Sequence, residues 1–372
     1  MTPNVNTNGS APAGRIAVLD AYRGIAVLAV VGFHFFSRWT PPLADTNLYP
    51  YGAALAAFPL FRYGYLGVHL FFLVSGFVIT LTLTKCANWR EFVVRRFARL
   101  FPAMLLCATA TYVVIRLTPP HIWSVTACSF LPSLTFFSPS AYSWALKRSC
   151  EFMDPAYWSL WVEVRFYAVA ALLYFGASRE GFLRNSFVVM NLAIVVLFLE
   201  HGGRNLPGLQ MADRILFPEF APWLFSGVAF FYVRERSPGV LAWLLLAEAM
   251  TTNVVRSIAD LGGAEWIVII VIYGLFWAFA VRQRAVDLFD TRLLVKIGTA
   301  SYAFYLLHQY IGVTLIAFVG QALAVNGPPA ILIAAVVAIA LAIAAVGIFN
   351  SFESPMRRWI TERGTALFGR SV

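Results

Sequence analysis

Apolar runs recur along the whole chain, and their length limits what it can fold into. A helix that crosses a bilayer needs roughly 20 mainly apolar residues. Ten stretches approach or meet that length: Ile16–Phe36, Tyr65–Thr84, Phe97–Leu117, Tyr157–Phe175, Phe187–Leu199, Ile215–Val233, Val240–Val255, Trp266–Val281, Ile297–Phe318 and Ala330–Phe349. Inside lipid a backbone has to satisfy its own hydrogen bonds, which a helix does within one segment. The expected fold is all-α, a polytopic membrane protein of about ten transmembrane helices. Only 12% of the residues are charged, about half the share of a soluble domain, so a water-soluble fold is excluded. The fifth and seventh runs are short or interrupted, which leaves their limits the least defined.

Charge orients the spans, because Lys and Arg gather in cytoplasmic connections. With the N-terminus inside, nineteen of the 28 fall inside, eight fall outside, and Arg165 alone lies within a span. Both termini are then cytoplasmic. The net charge of +10 is mostly this bias rather than a nucleic-acid footprint, and no nucleic-acid partner is expected. Residues 1–15 read as a polar cytoplasmic N-terminus, 16–350 as a single transmembrane domain and 351–372 as a basic cytoplasmic tail. Met1–Gly14 lacks the basic start of a signal peptide, so the first apolar run is expected to be retained. The four cysteines lack metal-ligand spacing and no metal is expected. Cys128 and Cys150 share the outer segment Thr118–Ala156 and could pair.

The first span carries the chemistry-bearing residues Asp20, Arg23 and His34. An ionisable group at the centre of a spanning helix costs roughly 2.5–3.5 kcal/mol, so it is expected to face a partner, a cavity or a substrate. Asp20 precedes Arg23 by three residues and can pair with it. His34 follows Arg23 by eleven, about three turns, which places both on one face about 16 Å apart. A polar stripe from the inner interface to a deep histidine is the reading preferred over an isolated ion pair plus a packing histidine.

Other spans add candidates. Arg95, Arg96 and Arg99 crowd one side of the third span's inner end, either as topology determinants or as a phosphate clamp. His69 in the second span and Glu163 in the fourth are expected at the depth of His34, with Glu163 working beside a histidine. Ser75 and Gly76 read as a close-packing pair. Tyr305 stands one turn before His308 in the ninth span, and Glu353 is expected to pair with Arg357.

Five stretches together resemble the acyltransferase 3 family of bacterial membrane acyltransferases: LDAYRGIAVLAVVGFH, GVHLFFLVSGF, RRFARLFP, WSLWVEVRFY and SYAFYLLH. They lie in order over nearly the whole chain. One position departs from the pattern, because His69 stands where an acidic residue is expected after Gly-Val. The extracytoplasmic hydrolase-like domain fused to some relatives is not seen in this sequence.

The resemblance implies transfer of an acyl group, usually acetyl, from cytoplasmic acetyl-CoA to a hydroxyl of an extracytoplasmic glycan or lipid-linked saccharide, in the bacterial inner membrane. On that footing Arg23, Arg96 and Arg99 would hold the CoA phosphates. His34 would act as general base, with Glu163 orienting it and His69, Tyr305, His308 and Asp20 in support. A homodimer stays open. Two other classes remain: a proton-coupled transporter or flippase that uses His34, Glu163 and His308 as a relay, and a scaffold subunit of an export complex.

Overall fold

The computed structural model describes residues 16–203, 208–236, 239–261, 263–282 and 284–368; Arg15, Arg204 and Arg370 lie outside them. The described residues form helices and loops only. In chain order the main helices are α1 (Ala17–Phe36), α2 (Gly67–Lys85), α3 (Trp89–Leu117), α4 (Trp158–Ala171), α5 (Phe182–His201), α6 (Ala221–Glu235), α7 (Val240–Arg256), α8 (Glu265–Ala280), α9 (Arg292–Thr299), α10 (Ser301–Leu307), α11 (Tyr310–Ala322), α12 (Ile331–Ile348) and α13 (Ser354–Phe368). Seven helical segments among them are long and apolar enough to cross a membrane, and eight if α10 and α11 form one bent span. The expected ten exceeds this because α7 has 17 residues and α8 has 16, too short to qualify alone.

Glycines set the closest helix contacts. A Cβ on Gly76 would lie 1.9 Å from the Leu224 carbonyl oxygen, and one on Gly227 would lie 2.2 Å from that of Leu73. Backbone therefore packs on backbone between α2 and α6, as small residues permit in membrane bundles. The expected packing role falls to Gly76 alone; Ser75 points elsewhere, as described below. Gly64 and Gly67 similarly meet the Ala29 and Ala26 carbonyls. That register sets His69 level with about Gly24, ten residues short of His34 and on the order of 15 Å deeper. The two histidines do not share a depth.

The expected ninth span Ile297–Phe318 is divided. α9 is a separate short helix, and α10 and α11 meet at a 56° bend around His308 and Gln309. Neither proline nor glycine stands at the break. In an unbroken helix the Tyr310 N–H would donate to the Leu306 carbonyl. Here it donates to Asp154 Oδ2 (2.8 Å), while the Tyr157 hydroxyl donates to the Leu306 carbonyl (3.0 Å). Side chains just before α4 thus replace one rung of the ladder, a recognised cause of sharp kinks.

Folded segments cover the ends of α1 and α11. Cys128 and Cys150 form a disulfide, as their shared segment allowed. Ser133 Oγ accepts the Met153 N–H, which ties the same segment down just before Asp154. The hydroxyls of Tyr49 and Tyr51 donate to the carbonyls of His34 and Phe35, groups that a helix end leaves without partners. Trp39 meets Trp123 at a tilt, and Trp123 stacks on Tyr310, with ring centres 4.7 and 4.3 Å apart. These aromatic faces are used on one another. At the opposite end, α12 passes through a π turn, Phe349–Glu353, into α13, which packs on α3. The tail is therefore an ordered part of the bundle as far as Phe368.

Candidate active site

Two cavities share walls on α1, α2 and α3, with α13 completing the outer one and α4 and α10 the inner. The one at the arginine-rich end has a volume of about 480 Å³ and is lined by Arg23, Lys85, Arg95, Arg96, Arg99, Arg357 and Arg358, with Glu362 the acidic residue on it. The second, about 80 Å³, continues inward past Arg23, Val78, Arg96 and Arg99, which line both. Its walls carry Ser75, Ser159, Glu163, Tyr167, Tyr302 and Tyr305 among apolar side chains. A strongly cationic mouth thus narrows into a mainly apolar slot with a few hydroxyls and one carboxylate. This is the usual build of a site for a ligand with an anionic head and an extended arm.

Each arginine is held differently. Arg23 pairs with Asp20 at 3.4 Å, as the spacing implied. Arg96 donates to Thr82 Oγ1 and lies over the Phe92 and Tyr167 rings, while its Nε has no acceptor among the described residues. Arg99 forms an ion pair with Glu353 and lies 5.2 Å from the Tyr302 ring centre. The direct ion-pair partner of Glu353 is thus Arg99, while Arg357, the expected partner, also acts electrostatically on the carboxylate. The reason is geometric, since the π turn swings the fully buried Glu353 side chain towards α3. Arg95 is engaged with Glu91 at 2.7 Å, four residues earlier on α3.

Glu163 does not meet His34 among the described residues. Its Oε1 accepts a hydrogen bond from Ser75 Oγ at 2.6 Å. Ser159, one turn nearer the start of α4, contacts the Tyr305 hydroxyl at 2.9 Å, and Tyr305 also donates to the Ala156 carbonyl at 2.8 Å. Beyond Tyr305 stand His308 and His34. His69 lies apart from both groups, against Trp223 and Phe220 on the α6 side of α2, at ring separations of 5.0 and 6.0 Å. The chain therefore joins His34 with His308, and Glu163 with Ser75, as two separate pairs.

The histidine pair has one arrangement that satisfies all its contacts. His308 Nδ1 is 2.6 Å from the Tyr305 carbonyl, and His34 Nδ1 is 2.9 Å from the Val30 carbonyl. Carbonyls only accept, so both Nδ1 atoms carry hydrogen. His308 Nε2, 3.1 Å from His34 Nδ1, is then a lone pair that accepts from it. The remaining atom, His34 Nε2, is then a lone pair with no donor among the described residues. The bend between α10 and α11 is what brings His308 to this position. Asp154 fixes the bend by accepting the N–H groups of Ala156 and Tyr310, both at 2.8 Å. Burial pushes its carboxyl up to about 7, against the lowering effect of those two N–H donors.

Sequence reading missed Ser75 as the partner of Glu163, Asp154 as the fixer of the bend, and Lys85, Arg357 and Arg358 on the cationic wall. Their only signal was residue type. Each meets its partner across dozens or hundreds of positions.

Residues 16–347 match a family described as an acyltransferase domain, which is nearly the whole chain. The chain is similar to the "Putative peptidoglycan O-acetyltransferase YrhL" of Bacillus subtilis (strain 168), 27% identical over 165 residues, covering 41% of this chain and 22% of that protein. It is also similar to the "Peptidoglycan O-acetyltransferase OatA" of Listeria monocytogenes serovar 1/2a, 25% identical over 165 residues, covering 41% and 23%. The match thus spans less than a quarter of either relative's length. No solved structure gives a significant match.

Proposed function

The chain belongs to the acyltransferase 3 family, a multi-pass membrane group, and from that premise we propose that it moves an acyl group, acetyl the expected one, from cytoplasmic acyl-CoA to a hydroxyl of an extracytoplasmic glycan or lipid-linked saccharide. The setting is the bacterial inner membrane, with the arginine-rich end inside. The observation that carries this reading is the joined pair of cavities, a cationic mouth leading to a slot with acid–base groups. Peptidoglycan, the substrate in both relatives' names, is one acceptor of the right class.

In this reading the phosphates of the donor sit among Arg23, Arg96, Arg99, Arg357 and Arg358. Arginine suits them because its planar fork donates two parallel hydrogen bonds to phosphate oxygens. The pantetheine arm follows the apolar slot towards Ser75 and Tyr305. At the far end His34 Nε2 takes the proton of the acceptor hydroxyl as general base. Its Nδ1–H, held by the Val30 carbonyl and His308, spreads the resulting positive charge. His308 is thus the orienting partner, the role expected of Glu163. His69, on the other side of α2, takes no part.

The test is acceptor-dependent release of CoA from labelled acetyl-CoA by detergent-purified protein, together with mass spectrometry of surface glycans from a deletion strain. CoA release and loss of glycan acetyl groups are the expected results. A transporter would release no CoA, and a scaffold would keep its role with His34→Ala.

A further inference from the structure

Two pairs of proton-handling side chains stand apart in the bundle. Ser75–Glu163 lies on the wall of the inner slot, and His34–His308 lies beyond it, with the Ser159–Tyr305 contact between them. A single direct transfer needs one base, at the acceptor oxygen, and leaves the inner pair without a task. Three serines line the slot: Ser75, Ser159 and Ser301. Ser159 is engaged by the Tyr305 hydroxyl and the Ala156 carbonyl. Among the hydrogen bonds of the described residues, Ser75 alone of the three is joined to a carboxylate.

That contact, at 2.6 Å, is in the range of the strong hydroxyl-to-carboxylate kind. A hydroxyl bonded to a base is the arrangement that makes a serine nucleophilic. Arg23, Arg96 and Arg99 line the same slot as Ser75 and Glu163, so it already contains positive charge to offset an oxyanion at the thioester carbonyl oxygen.

Resting on the acyl-CoA reading above, we infer that Ser75 is a covalent acyl carrier, which splits the transfer into two half-reactions. In the first, Ser75 Oγ attacks the thioester carbonyl and its proton passes to Glu163. The C–S bond breaks, an O-acyl serine forms, and CoA leaves as a thiolate towards the arginines. In the second, the acceptor hydroxyl approaches from the His34 side, past the Tyr305–Ser159 contact, and attacks the serine ester. His34 Nε2 takes the acceptor proton, Glu163 returns its proton to the Ser75 oxygen, and the ester bond to Ser75 breaks. His34 then releases its proton to solvent. The sum is acyl-CoA plus alcohol giving ester, CoA thiolate and one proton.

The experiment incubates full-length purified protein with labelled acetyl-CoA without acceptor, quenches in acid and maps the label by peptide mass spectrometry. Acetyl on Ser75 is expected, absent in Ser75→Ala, slowed on the order of a hundredfold in Glu163→Gln, and accumulating in His34→Ala, which lacks the second base. Ser75→Cys controls for folding of the alanine variant. It should take up a thioester that neutral hydroxylamine removes. Acceptor-dependent CoA release with no acetyl on Ser75 in the His34→Ala protein, or label on another residue, overturns the carrier and leaves the acyl-CoA reading intact. So does a Ser75→Ala protein that transfers within tenfold of wild type. A protein that neither binds acetyl-CoA nor releases CoA removes the acyl-CoA reading, and the carrier with it.

Discussion

Replacing His308 separates an orienting role from a proton-relay role. His308 is fully buried and touches His34 through one hydrogen bond, Nε2 to Nδ1 at 3.1 Å. His308→Phe keeps a ring of similar size and removes that acceptor. His34 Nδ1–H still has the Val30 carbonyl at 2.9 Å, so the tautomer that frees Nε2 survives. The loss at His34 is one neutral hydrogen bond, about 0.5–1.5 kcal/mol; the His308 Nδ1–H bond to the Tyr305 carbonyl goes with it and lowers stability. At about 1.4 kcal/mol per factor of ten, acyl transfer should fall about twofold to tenfold. His34→Ala, by contrast, removes the base and should cost roughly 10²–10⁴ in rate. His308→Gln, whose side-chain carbonyl can accept from His34, should recover most of the loss. The assay is acceptor-dependent CoA release by purified protein, with gel filtration as the check on folding. A folded His308→Phe protein as inactive as His34→Ala would show that His308 itself carries the proton, and the orienting role would be wrong.

Arg99→Lys should keep the ion pair with Glu353 yet weaken acetyl-CoA binding, because lysine lacks the fork; equal affinity by calorimetry would reduce Arg99 to a structural ion pair. Glu353→Gln leaves the Arg99 charge uncompensated in a buried setting and should cost about 3 kcal/mol of stability, read as a lower melting temperature in detergent. Asp154 has a folded-state pKa raised to about 7 from its ordinary carboxylate value. The folded protein therefore holds a proton that the unfolded chain releases, and stability falls as pH rises from about 4 to 7. Asp154→Asn should remove that component, so its melting temperature should decline less than wild type over this window; parallel decline would exclude Asp154 as the source. An impermeant thiol reagent outside intact cells should label a cysteine at exposed Thr46 and spare one at exposed Ala87; the reverse pattern inverts the topology and ends the through-membrane route.

Whatever depends on neighbours along the chain was legible in the sequence. Hydrophobic runs announce their helices because lipid rewards continuous apolar length, and the Asp20–Arg23 pair follows from three-residue spacing. The histidine on the Arg23 face, the arginines at the start of α3 and the disulfide partners were identifiable from position and type. Tertiary structure decided which groups meet. Glu163 has Ser75 as its partner, and His34 has His308, because helices separated by 88 and 274 positions pack at a register that glycine contacts and a bent span determine. The same packing removes His69 from the site, since rotation about α2 turns it to Trp223 and Phe220. The bend itself depends on a carboxylate 156 positions away that takes over the Tyr310 N–H. A hydrogen bond from another segment can replace a helical one at almost no energetic cost, so local sequence carries no mark of where that happens.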